Sequence, residues 1–127
     1  MIRQSVHSKD APEAVGPYSQ GVWAGYLLYL SGQVALDPAT GKVIEGDVGQ
    51  QTQRVLDNLE AVLTSAGLTM HDVVKCNVFL VDMGDFAEMN EVYGQRFASP
   101  FPARSTIAVA GLPFGVRVEI ELIAKRP

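Results

Sequence analysis

Two stretches of the chain repeat apolar residues at the period of an α-helix. The first helix is predicted over residues 48–66, where one apolar stripe recurs every three to four positions. Asp47 precedes it as an N-cap, and Gln50 stands where a capping box needs its second partner. Gly67 follows directly and suits the left-handed position at which many helices end.

The second helix is predicted over residues 85–97, with Asp85 as its N-cap. Its apolar stripe consists of Phe86, Met89, Tyr93 and Phe97. Pro100 and Pro102 come soon after it and break the chain before the next apolar run.

Six other segments have the β-branched content or the alternation that is typical of strands. They cover residues 1–10, 19–24, 26–31, 73–81, 104–110 and 116–124. Segment 73–81 holds more apolar than polar residues, so we expect both of its faces to be buried. The order of three strands, a helix, a strand, a helix and two strands predicts an α+β fold, with two helices on one face of a mixed six-stranded sheet.

Two helices leave the second face of such a sheet uncovered. Trp23, Tyr26, Leu28 and Leu30 make the predicted sheet too apolar to face water. We therefore expect an oligomer whose subunits cover this face for one another.

The size and composition fit a single domain over residues 1–127. Hydrophobic residues make up 47% of the chain, and no linker or repeat divides it. The longest apolar run, residues 26–30, is too short to span a bilayer, and the first ten residues lack the apolar core of a signal peptide. These features predict a cytoplasmic protein with no membrane partner.

Charge and the metal-binding residue types narrow the class of function further. The net charge is −4 and the ten Lys and Arg residues are scattered, which counts against nucleic acid as a partner. Cys76 is in phase with apolar neighbours of a predicted strand and is expected to be a buried structural thiol. His7 and His71 have no ligand-spaced partners, so no metal site is predicted.

Arg104 and Glu119 are the first candidates for a functional site. They lie in the last two predicted strands, separated by the Gly-Leu-Pro-Phe-Gly connection at residues 111–115. A simple hairpin around this connection would turn the two side chains to opposite faces. Non-adjacent strands, a bulge, or a meeting across a subunit boundary are the alternatives, and the sequence of the connection favours non-adjacent strands. The competing interpretation is an exposed sheet face with two solvated charges.

Several short segments, in their order and spacing, resemble the RidA (YjgF) family over nearly the whole chain. They are Gly-Pro-Tyr-Ser-Gln-Gly at 16–21, Ser-Gly-Gln at 31–33, Leu-Asp-Asn-Leu at 56–59, Val-Phe-Leu-Val-Asp at 78–82, Pro-Ala-Arg-Ser at 102–105 and Val-Glu-Ile-Glu at 118–121. The resemblance implies a chorismate-mutase-like fold and a homotrimer with clefts between subunits. It also implies a deaminase that needs no cofactor and hydrolyses reactive enamines and imines bearing a carboxylate, such as 2-aminoacrylate, 2-iminopropanoate and 2-iminobutanoate, to 2-oxo acids and ammonia.

The resemblance also implies roles for individual residues. Arg104 matches the arginine that grips the substrate carboxylate, and a guanidinium offers the planar fork that this contact needs. Glu119 matches the glutamate that positions and activates the attacking water. Tyr18 and Ser31 match polar residues that line the cleft. Gly32 is expected to let the backbone approach the ligand closely.

For two further positions the resemblance implies less about chemistry. Asn90 matches a recurrent asparagine without an assigned chemical role. Thr106 stands where several family deaminases have cysteine, so a role of its backbone in substrate binding is kept while thiol chemistry is lost.

Two other functions remain open from the sequence. One is a non-catalytic, ligand-binding or stress-protective protein that uses the same cleft, because one fold can host many functions. The other is an endoribonuclease or translation inhibitor. The acidic pI of about 5.0 and the absence of a basic, aromatic-lined strip count against that second function.

Overall fold

One sheet organises the computed structural model, which describes residues 2–127. Its strands are β1 (Gln4–Val6), β2 (Gly21–Ala24), β3 (Leu27–Gln33), β4 (Val73–Leu80), β5 (Ala103–Ala108) and β6 (Val118–Lys125), and its helices are α1 (Val48–Ser65) and α2 (Phe86–Arg96). The predicted element order and the α+β class are confirmed. Met1, which the predicted first strand included, lies outside the described residues.

The strands follow the spatial order β1-β2-β3-β6-β4-β5. All neighbouring pairs are antiparallel except β4 and β5, which are parallel and are connected through α2. Strand β4 therefore lies between β5 and β6. The prediction that the last two strands are not direct neighbours is confirmed.

Side-chain alternation divides the sheet into a helix-covered face and an uncovered face. On β6, Val118, Ile120, Leu122 and Ala124 are buried beneath the helices. The intervening Glu119, Glu121 and Ile123 point to the uncovered face and are only half-buried. Cys76 on β4 belongs to the buried set, as predicted.

The uncovered face carries both charged and apolar residues, and its apolar residues differ from those predicted. Leu28 and Leu30 lie in the core, and Trp23 packs against that core on the same face. The strand period of two instead turns Tyr29 to the uncovered face, where the residue is 47% exposed. Ile107 of β5 is half exposed as well.

The expectation that segment 73–81 is buried on both faces is wrong for the single chain. Its core side chains are buried, but Lys75, Asn77 and Phe79 are only half-buried, and Val74 is 43% exposed. The reason is that both helices cover the same face of the sheet. The apolar residues of this strand therefore lie in two environments, the buried core on one face and the half-exposed, uncovered side of the sheet on the other.

The predicted caps of α1 are confirmed. The Asp47 carboxylate accepts from the Gln50 backbone N–H at 2.9 Å, and the Gln50 side chain accepts from the Asp47 N–H at 2.9 Å. Gly67 has a φ of +78°, a left-handed conformation that suits a residue without a Cβ.

The predicted cap of α2 is wrong. Asp85 makes no side-chain capping bond. Its carboxylate accepts two hydrogen bonds from the Arg117 guanidinium, at 2.9 and 2.6 Å. This charge-assisted pair replaces a single bond to a backbone amide and ties the start of α2 to the chain entering β6. Within residues 2–127, neither helix combines the length and apolarity that crossing a membrane requires.

Candidate active site

A cavity of about 500 Å³ opens beside the uncovered face at the Glu119 end of β6. We call it the carboxylate cavity. Its lining combines polar groups with apolar walls from three loops: Pro12, Glu13, Val15, Tyr18, Ser31, Gly32, Gln33, Val34, Leu36, Pro113, Phe114, Glu119 and Glu121. Four of the residues predicted for the site, Tyr18, Ser31, Gly32 and Glu119, are therefore brought together here.

Glu119 is the central acid of this cavity. Burial, reinforced by the neighbouring Glu121 carboxylate, raises the pKa of Glu119 above the ordinary value of 4.5. Gly32 of β3 leaves room for it, because a Cβ at Gly32 would lie 2.9 Å from the Glu119 Cδ. The glycine thus makes space for the Glu119 carboxylate, where the sequence predicted that it makes space for a ligand.

Glu121 is held in place by a neighbour on β4. The Asn77 side-chain amide donates to its carboxylate at 3.0 Å. The two residues face each other across the β4–β6 pair, so the register of the sheet fixes the contact. Glu121 therefore stays close enough to influence Glu119 without being free to turn away.

The loop before β2 forms the polar wall of the cavity. Ser31 donates from its hydroxyl to the Ser19 carbonyl at 2.6 Å. Tyr18 is about half exposed, and its hydroxyl accepts from the Val15 N–H at 3.4 Å. The buried Gln20 side chain anchors the same loop through hydrogen bonds to Ser8 and Pro12. Sequence reasoning gave Gln20 no role, although its place within the Gly-Pro-Tyr-Ser-Gln-Gly segment was a usable signal.

A second cavity, of about 230 Å³, contains Arg104. We call it the arginine cavity. It lies between α2 and the chain around β5, and its lining residues are Asn90, Tyr93, Gly94, Phe101, Pro102 and Arg104. Arg104 is opposite Cys76 in the β4–β5 register, so its side chain is on the helix-covered side of the sheet.

Two aromatic rings of α2 hold the Arg104 guanidinium. Its central carbon lies 4.7 Å from the Tyr93 ring centroid and 5.6 Å from that of Phe86. These distances allow cation–π attraction. No acceptor within residues 2–127 takes a hydrogen bond from this guanidinium, and no carboxylate there pairs with it. The sequence presented both rings only as core residues of a helix.

Asn90 and Thr106, the two remaining predicted residues, do not line the carboxylate cavity. Asn90 is exposed and lines the arginine cavity. Thr106 lies two residues after Arg104 on the same face of β5, and it is absent from the lining of both cavities. Its hydroxyl is buried and has no hydrogen-bond partner.

The structure thus divides the predicted site into two halves. The carboxylate cavity contains a carboxylate of a kind that can exchange protons, and the arginine cavity contains a guanidinium of a kind that can donate hydrogen bonds to an anion. Arg104 and Glu119 lie on opposite faces of the sheet, so a single chain does not present both to one small molecule.

The fold and this site define a small α+β protein that presents a carboxylate and a guanidinium in two separate cavities. Residues 8–126 match the family described as endoribonuclease L-PSP. The chain belongs to this family, which is the YjgF/RidA family.

Named relatives resemble the chain over nearly all of its length. Protein DfrA of Myxococcus xanthus is 52% identical over 98% of this chain and 96% of that protein. The 2-iminobutanoate/2-iminopropanoate deaminase of Bos taurus is 44% identical over 98% of this chain and 90% of that protein. The crystal structure of RidA from an Antarctic Psychrobacter species superimposes with a TM-score of 0.93, at 44% identity over 98% of this chain and 100% of that one.

Proposed function

We propose that this protein hydrolyses reactive imines that carry a carboxylate, of the size of 2-iminopropanoate and 2-iminobutanoate, to 2-oxo acids and ammonium. We further propose that it works as a homotrimer, in which the carboxylate cavity of one subunit meets the arginine cavity of the next. The observation that carries the proposal is the division of the chemistry between two cavities on opposite faces of one sheet.

The uncovered sheet face supports the assembly. Tyr29 and Ile107 expose about half of their surface, and both lie on the face that carries Glu119. An apolar surface of this kind is stabilised when another subunit removes it from water. Association through this face would bring a neighbour's edge strand and its Arg104 towards the carboxylate cavity.

The composite cleft fits the chemistry of an imino acid. The free N–H groups of Arg104 bind the substrate carboxylate through its two oxygens. This contact orients the adjacent iminium carbon towards Glu119, and such orientation supplies much of the catalysis for a reaction that water already performs slowly.

The proposed steps balance without any further reactant. Water adds its oxygen to the iminium carbon, the C=N electron pair moves to nitrogen, and Glu119 takes a proton from the water. Glu119 then returns this proton to the nitrogen of the carbinolamine. The C–N bond breaks with its electrons on nitrogen as the C=O bond forms. Glu119 takes the hydroxyl proton and passes it to the released ammonia, so the net products are the 2-oxo acid and ammonium.

A subunit-mixing experiment tests both parts of the proposal. An amino-acid oxidase generates the imine in situ, and semicarbazide traps whatever is not hydrolysed. Arg104→Ala and Glu119→Gln are expected to be inactive when each is assayed alone. Co-expressed in equal amounts, they should recover about a quarter of the parent activity, because a closed ring then fills about one cleft in four with both intact residues.

Each alternative outcome has a distinct meaning. No recovery on mixing would mean that no cleft combines Arg104 of one chain with Glu119 of another, and it would refute the composite site. Full activity of Arg104→Ala alone would refute the proposed role of the carboxylate grip. A parent protein that binds 2-oxobutanoate but hydrolyses no imine would be a ligand-binding protein instead of an enzyme.

A further inference from the structure

We propose that Tyr93, assisted by Phe86, is a positioning residue for substrate binding, because its ring fixes the Arg104 guanidinium and leaves all of the N–H donors free for the substrate carboxylate. This inference rests on the proposed function and names residues that the proposed reaction does not itself use.

The geometry distinguishes Arg104 from the other arginines that contact acidic groups. Arg117 is engaged with the Asp85 carboxylate, and Arg96 with Asp57. Arg104 has no such partner among residues 2–127, yet it is only partly exposed and stands on an edge strand. Without a hydrogen-bond partner, a long side chain such as that of Arg104 keeps its rotamer freedom unless packing restrains it.

The Tyr93 ring provides that restraint. It lies 4.7 Å from the guanidinium carbon and is itself only 4% exposed. The neighbouring Phe97 ring, at a centroid distance of 4.7 Å, packs against it. A ring fixed on α2 can therefore define where the cation rests, and its quadrupole attracts the positive charge without occupying any N–H.

The hydroxyl of Tyr93 has no part in the contact that we propose for its ring. It is buried without a hydrogen bond of ordinary geometry. Burial, together with the adjacent Cys76 thiol, raises the pKa of Tyr93 far above its usual range, so the ring stays neutral. The proposed contribution comes from the aromatic face, and removing the hydroxyl should preserve it.

The test compares Tyr93→Leu with Tyr93→Phe, using two measurements. Imine hydrolysis gives KM and kcat, and isothermal titration with 2-oxobutanoate gives a Kd that does not depend on turnover. Loss of the ring should raise KM and Kd about tenfold. The value of kcat should stay within about threefold, because Arg104 itself remains in Tyr93→Leu and still orients the substrate molecules that do bind.

Two further variants separate positioning from general stability. Tyr93→Phe should return both constants to within about twofold of the parent, since the ring remains. Leu63→Ala removes a buried side chain of α1, away from both cavities, and should lower the melting temperature while leaving KM and Kd unchanged. If Tyr93→Leu does not fold, Phe86→Leu removes the more distant ring and should raise both constants about threefold.

The outcomes also separate this inference from the proposed function. If Arg104→Ala abolishes 2-oxobutanoate binding while Tyr93→Leu leaves it unchanged, the inference is wrong and the carboxylate grip stands. Equal losses in Tyr93→Phe and Tyr93→Leu would assign the effect to the hydroxyl and also overturn it. If the parent hydrolyses no imine, the Kd comparison still decides the role of Tyr93, and failure of the parent to bind 2-oxobutanoate refutes it.

Discussion

The two charged groups of the candidate site are held in opposite ways. Arg104 rests against the electron-rich faces of two rings, an environment that attracts a positive charge. Glu119 is half-buried beside another carboxylate, an environment that disfavours its charged form. One cavity therefore stabilises a charge and the other destabilises one.

This contrast matches two different tasks. A group that only grips an anion works best when its charge is permanent and its position fixed. A group that takes and returns a proton works best when its two protonation states are closer in free energy. The surroundings of the two residues therefore fit the roles proposed for them, Arg104 as the binding group and Glu119 as the acid–base group.

The largest effect is expected from Glu119→Gln, which removes the carboxylate whose charge is disfavoured. Turnover should fall about 10²- to 10⁴-fold, because the amide accepts no proton from water. The melting temperature at pH 7 should rise. A raised pKa in the folded protein means that ionising Glu119 is less favourable in the folded chain than in the unfolded chain, so folding stability is lost as the pH rises through that pKa.

Thermal unfolding of parent and variant at neutral pH and near pH 4 checks this prediction. The difference should be present at neutral pH and should shrink at the lower pH, where Glu119 of the parent is largely protonated. A lower melting temperature of the variant at neutral pH would mean that ionised Glu119 gains a cationic partner in the assembled protein.

The next test is Arg104→Lys, which keeps the positive charge but replaces the planar guanidinium with an ammonium group. We expect kcat/KM to fall roughly 10- to 100-fold, because an ammonium cannot bind both carboxylate oxygens in one plane. Steady-state hydrolysis of 2-iminobutanoate measures the effect. Arg126→Lys is the matched control, since Arg126 also lies over a ring, that of Trp23, yet lines neither cavity. Equal losses in both variants would contradict the role given to Arg104.

The smallest effect is expected from Glu121→Gln. Loss of the neighbouring negative charge should lower the pKa of Glu119, although burial, the larger cause of its raised pKa, remains. The base form of Glu119 is then present at lower pH, so the acidic limb of the kcat profile should move to lower pH. Glu45→Gln removes the same charge from an exposed loop and should not move it. A shift towards higher pH would show that Glu121 does not act on Glu119 through its charge.

Local signals predicted the elements and several of the site residues. The capping box of Asp47 and Gln50 marked the start of α1, because a helix start depends on neighbours in sequence. Tyr18, Ser31, Gly32 and Glu119 were singled out by short segments, and they line one cavity. The sequence placed Arg104 and Glu119 on opposite faces only for a simple hairpin of the last two strands. Those strands are not neighbours, and the two residues nevertheless lie on opposite faces.

Long-range contacts explain what the sequence did not reveal. Asp85 has the residue type of an N-cap, but Arg117, 32 positions away, takes its carboxylate. Insertion of β4 between β5 and β6 depends on the crossover through α2, which no single segment specifies. Tyr93 had the spacing of a core residue, and its contact with Arg104 follows only from where β5 lies beside α2.

The placement of Arg104 and Glu119 on opposite faces has a genetic consequence in the proposed trimer. Each subunit would serve two clefts, giving its carboxylate to one and its guanidinium to another. A gene copy that encodes only one of these substitutions would inactivate one cleft for each defective chain incorporated. A copy that encodes both would inactivate two, so its product would interfere more strongly with the normal protein than either single defect.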